Sequence, residues 1–66
     1  MEKDDVKRII ETGQEVITHL GGKTYRGRII SQHGDTDQFQ FRGTEIERGQ
    51  EKITARIRAS DLQLPY

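Results

Sequence analysis

Arginine recurs with a spacing of two in "YRGRI", residues 25–29, and again in "ARIRA", residues 55–59. Alternate residues of an extended strand share a face, so Arg26 and Arg28 point one way, and Arg56 and Arg58 do the same with Lys52 in phase behind them. A row of guanidinium groups suits phosphates or carboxylates, because each offers a planar fork of donors that an oxyanion accepts in pairs. The competing assignment is ordinary solubilisation, with Glu15 opposite Arg28 and Glu47 opposite Lys52 neutralising part of the row.

Other chemistry is thin. His33, Asp35 and Asp37 form the one cluster resembling a metal site, but a calcium loop needs glycine at its sixth position and a carboxylate at its twelfth, where Gln40 and Ile46 stand. A solvated turn is the expectation there. Ser31 and His33 lack an orienting carboxylate, and so short a chain has little room for a substrate pocket, so catalysis is not expected. Nothing calls for a cofactor, and His19 reads as an exposed imidazole near a turn.

The chain bounds what can position these side chains. Sixty-six residues fit one domain close to the lower size limit for independent folding, with 30% hydrophobic and 33% charged residues. Marginal stability, or support from self-association into a homo-oligomer, is expected. There is no cysteine, hence no disulfide scaffold and no thiolate zinc site, and a cytoplasmic setting follows. "MEKDDVKRII" is acidic and lacks a long apolar run, so it reads as neither a secretory signal nor a membrane span. Eleven basic and eleven acidic residues cancel, so binding to a polyanion has to come from local segregation of charge.

The periodicity places one helix and a set of strands in this single domain, 1–66. Val6, Ile9 and Ile10 fall at helical spacing, with Asp4 and Asp5 near the N-terminal end of the macrodipole and Gly13 at the stop, giving a helix over 1–13 that caps the rest. From Gln14 the period becomes two. Gly21-Gly22 between "QEVITHL" and "KTYRGRII" signals a two-residue hairpin that pairs Leu20 with Lys23, Thr18 with Tyr25, Val16 with Gly27 and Glu15 with Arg28. Val16, Leu20, Tyr25 and Ile29 then face the core, and Glu15, Ile17, His19, Arg26 and Arg28 face away. Gly27 lands on the core side, where a missing side chain marks a bend or a close backbone approach. "HGDTDQ" is a polar turn. "QFQFR" alternates with Phe39 and Phe41 inward, and Gly49-Gln50 is read as a second two-residue hairpin loop that sets Ile46 opposite Ile53. Ile53, Ala55 and Ile57 continue the apolar face. Ser60 or Asp61 caps a single helical turn before Leu62 and Leu64 dock, and Pro65 ends any ladder. The expected architecture is mainly β: a small five-stranded antiparallel barrel over 14–64 behind a short N-terminal helix.

"GGKTYRGRIIS" within residues 16–31 resembles the first-motif hairpin of the Sm-like barrels, and "IRASDLQL", residues 57–64, resembles their second motif. The overall order is similar to the Sm-like and Src-homology-type small barrels. In the Sm family an Asp and an Asn after the bent strand contact RNA, whereas this loop reads "QHGDTDQ", and Ala59 replaces the second-motif glycine. The resemblance implies a base-contacting role for Arg58. Two functions stay open. Net neutrality and the altered loop put a protein-interaction adaptor first; the arginines and the hairpin put RNA or single-stranded nucleic-acid binding through Arg26, Arg28, Lys52, Arg56 and Arg58 second.

Overall fold

The computed structural model describes residues 1–47 and 51–65. Helix α1 (Lys3–Thr12) leads into β1 (Glu15–Leu20), β2 (Lys23–Gln32), β3 (Gln38–Glu45), β4 (Lys52–Arg58), a 3-10 turn η1 (Ala59–Asp61) and β5 (Leu62–Gln63). The strands form one antiparallel sheet in the order β4-β3-β2-β1-β5. Among the described residues no helix is long and apolar enough to cross a membrane.

The helix stops where the sequence says. Gly13 adopts φ 72° and its N–H donates to the Ile9 carbonyl at 3.0 Å, the left-handed cap that glycine takes without a Cβ penalty. Val6 is buried, and Ile9 and Ile10 pack half-buried against the same core. At the next turn Gly21 (φ 56°) and Gly22 (φ 78°) both have the positive φ that a tight hairpin needs, and β1 and β2 pair in the register expected from it.

The connection between β3 and β4 departs from expectation. The proposed Gly49-Gln50 loop lies outside the described residues, but the strands on either side pair Gly43 with Ile53 and Thr44 with Lys52, so Ile46 does not face Ile53. Ile46 lies in a turn after β3 and is 48% exposed. The reason is facial. Pairing Ile46 with Ile53 shifts the register by an odd number of residues, which would put Ile53, Ala55 and Ile57 on the face opposite Phe39 and Phe41. The observed register pairs Phe39 with Ile57 and Phe41 with Ala55 and keeps all of them on one side.

Phe39, Phe41, Val6, Val16, Leu62 and Thr18 are the largest fully buried side chains. Thr18 meets the cost of burying a hydroxyl by donating to the Asp61 carbonyl at 2.9 Å, which ties β1 to η1. Arg58, rather than Ser60 or Asp61, occupies the cap position of η1, and no side-chain hydrogen bond caps it. Leu62 docks as expected. Leu64 does not, and stays 37% exposed.

The sheet is strongly curled. Flat, its edge strands β4 and β5 would lie about 19 Å apart, four spacings of ~4.8 Å. The chain passes from one edge to the other through the three residues of η1, which rise only about 6 Å. Two further features mark the bending: a bulge in β2, where the register slips between Ile29 and Ser31, and the facing glycines Gly27 and Gly43. Among the described residues no ladder joins β4 to β5, so the architecture is an open, curled sheet. At two residues, β5 has length only to pair with Ile17 and Thr18 of β1.

Candidate anion-binding face

Gly27 and Gly43 pair directly across β2 and β3. A Cβ on Gly27 would collide with the Arg42 carbonyl oxygen and the Gly43 Cα, and one on Gly43 would stand 2.8 Å from the Arg26 carbonyl oxygen and 2.5 Å from the Phe41 ring. Both glycines are therefore required by the approach of two backbones. Their neighbours in sequence, on the outer side of the curl, are three arginines and a threonine: Arg26, Arg28, Arg42 and Thr44.

Registration places those arginines on a common outer face. Arg26 lies between Ile17 and Thr44, Arg28 between Glu15 and Arg42, Arg56 beside Gln40, Arg58 beside Gln38, and Lys52 beside Thr44. All five residues expected to form the stripe are exposed. Arg42 belongs with them and was not among them. Its alternation with Phe41 already put it on the polar face, but only the β2–β3 register shows that it stands directly opposite Arg28.

Six of the eleven basic residues of the chain thus lie on the outer face of β2, β3 and β4. Among the described residues the acids lie elsewhere: on α1, in the β2–β3 loop, after β3 and in η1. Glu45 is in β3 but on its inner face, 4% exposed. Glu15, on β1, is the acid that reaches the stripe. It stands opposite Arg28 in the ladder yet pairs with Arg26, Oε1 to Nη2 at 3.3 Å, with both side chains about half exposed. Neither neutralisation expected from sequence has that form: Glu15 takes Arg26 rather than Arg28, and Lys52 faces Thr44 rather than Glu47. Among the described residues Arg28, Arg42, Lys52, Arg56 and Arg58 form no ion pair.

An open groove of about 850 Å³ runs along part of this face. Arg26, Arg28, Arg42 and Lys52 line it with the hydroxyl-bearing Thr44 and Thr54 and the acid Glu15, and the half-buried Gly27 and buried Gly43 border it. Arg56 and Arg58 lie beyond its lining, further along β4.

The remaining candidates are accounted for locally. The loop holding His33, Asp35 and Asp37 is closed by its own bonds: the His33 N–H donates to the Gln38 carbonyl at 2.8 Å, and Thr36 Oγ1 donates to the His33 carbonyl at 2.6 Å. Asp35 approaches Lys3 at 3.9 Å. Among the described residues no three His, Asp or Glu side chains gather as a metal site would require. His19 Nδ1 shares a 2.9 Å hydrogen bond with Thr24 Oγ1 at the surface. Phe39 and Phe41 are fully buried and present no ring to a base. Lys23 Nζ donates to Glu51 Oε2 at 3.3 Å, and that hydrogen bond and charge, with Glu45 further off, raise its pKa above the ordinary 10.5. No family model, curated protein or solved structure matches the chain.

Proposed function

We propose that this domain is a non-catalytic binding module whose outer strand face takes single-stranded nucleic acid. The observation that carries the reading is the pairing of Arg28 with Arg42 in adjacent strands, neither of them in an ion pair among the described residues, since Glu15 on the far side of Arg28 pairs with Arg26. Like charges directly opposite each other are unfavourable in a sheet, and a bound polyanion turns that repulsion into affinity. From Arg28 the band continues through Arg42 to Arg56 and Arg58, in steps of about 5 to 8 Å between neighbouring Cα atoms. Such steps are comparable with the phosphate spacing of an extended strand.

A duplex fits less well. The helix that would have to enter a major groove, α1, balances Asp4, Asp5 and Glu11 with Lys3, Lys7 and Arg8 and so offers phosphate no net positive charge. With Phe39, Phe41 and Tyr25 buried, the described residues offer bases guanidinium planes rather than aromatic rings to stack on. Affinity is then modest, tolerant of sequence and steeply dependent on salt. The order β4-β3-β2-β1-β5, with η1 bridging its edges, also supports reading the curled sheet as a small barrel of the Sm-like or Src-homology type.

Titrating a labelled single-stranded RNA at rising salt tests the reading. Four contacts predict a log–log slope of roughly −3, from about −0.7 for each phosphate neutralised. No binding at low salt by a folded sample overturns it. An adaptor role retains one observation in its favour: β4 is an edge strand among the described residues, with Ile46 exposed nearby, and strand edges recruit extended peptides.

A further inference from the structure

Positive charge is not spread evenly along the band. Four cations, Arg26, Arg28, Arg42 and Lys52, line the groove with one acid, Glu15, which is the ladder partner of Arg28 but pairs with Arg26, so that Arg28, Arg42 and Lys52 form no ion pair among the described residues. Further along β4, Arg56 and Arg58 lie two positions apart on one strand and stand beside the neutral Gln40 and Gln38. Thr44 and Thr54 add hydroxyl donors to the groove alone.

An internal phosphodiester carries one negative charge and is tethered on both sides by sugars. A terminal phosphate monoester carries close to two at pH 7, with its second pKa about 6, offers three free oxygens and is tethered on one side only. The geometry points to the groove as the seat of a terminal phosphate monoester of the bound strand, with Arg28 and Arg42 as its paired guanidinium partners and Thr44 and Thr54 as further donors. This rests on the nucleic-acid reading above and adds the end of the strand as what is recognised.

One single-stranded RNA sequence, labelled internally, is prepared with hydroxyls at both ends, with a 5′-phosphate, and with a 3′-phosphate. At pH 7.5 and fixed ionic strength, at least one phosphorylated form is expected to bind about tenfold more tightly than the hydroxyl form, as one charge-assisted hydrogen bond provides. The gain should shrink at pH 5.5, where the second proton returns to the phosphate while the arginines stay charged. Arg28→Gln and Arg42→Gln should abolish it, and Arg56→Gln should preserve it while weakening all three RNAs alike. Circular dichroism establishes that each variant is folded. Equal affinity of the three RNAs overturns the terminal site and leaves the band standing, as does a phosphate gain that survives both groove substitutions. No binding by any of them overturns both readings.

Discussion

At Gly27 the obstacle to a side chain is backbone, which cannot rotate out of the way: the Arg42 carbonyl and the Gly43 Cα occupy the space of a methyl group. Gly27→Ala should therefore destabilise the domain by about 2 kcal/mol or more through overpacking, whereas Gln32→Ala on the same strand should cost under about 0.5 kcal/mol. Urea unfolding compares the two, and coincident midpoints would remove the close approach as the reason for glycine. That Gly27 faces inward was legible from the hairpin alone. Its partner Gly43 was not, because only the β2–β3 register, slipped by the bulge at Ile29 to Ser31, brings the two together. Glu15 shows the same limit. Register put it opposite Arg28, but a side chain also reaches a diagonal neighbour, and it pairs with Arg26. Glu15→Gln should free Arg26 for phosphate, tightening RNA binding and steepening the salt slope by about 0.7. Stability should move by no more than about 0.5 kcal/mol, since the ion pair is half exposed. An unchanged slope would mean that Arg26 lies off the path of the strand.

Among the elements, those with a local signal were readable and those set by distant partners were not. Gly13 ends α1 and Gly21-Gly22 turns β1 into β2 because positive φ is a property of single residues. The β3–β4 pairing depends on which face Phe39 and Phe41 bury, a condition the short loop motif does not encode. Docking of α1 is likewise tertiary. At ten residues the helix is too short to persist alone in water, so its stability comes from Val6, fully buried, with Ile9 and Ile10 beside it. Val6→Ala should cost about 1.5–3 kcal/mol by removing two buried methyl groups and leaving a cavity. Hydrogen exchange of the α1 amides should rise with that loss. A variant as stable as the parent would show that the helix rests on the sheet without being needed there.

For the molecule as a whole, a formal net charge of zero conceals a division: six basic residues share one strand face that Glu15 alone of the described acids is seen to pair with, while Glu45 lies on the inner face and the others lie on or before the helix, in loops and in turns. Composition could report only the sum, and alternation could put arginines on polar faces without saying that three strands would carry them side by side. Such a face stores repulsion when no ligand is bound, and Arg28 opposite Arg42 concentrates it. Binding and stability should then respond in opposite directions to loss of one of these charges. Arg42→Gln removes the charge and keeps an unbranched polar side chain, though a shorter one, so at low salt it should raise stability by about 0.5 kcal/mol while weakening RNA binding. The stability gain should fade as salt approaches 1 M, where the screening length falls to about 3 Å and exposed charges no longer sense one another. Urea midpoints of the two proteins at low and high salt measure this directly. If Arg42→Gln is less stable at low salt, or if its gain persists at high salt, then repulsion between the arginines is not what the substitution relieves. The facing pair would in that case be no more than a well-hydrated surface, and its place in anion binding would have to be argued from binding measurements alone.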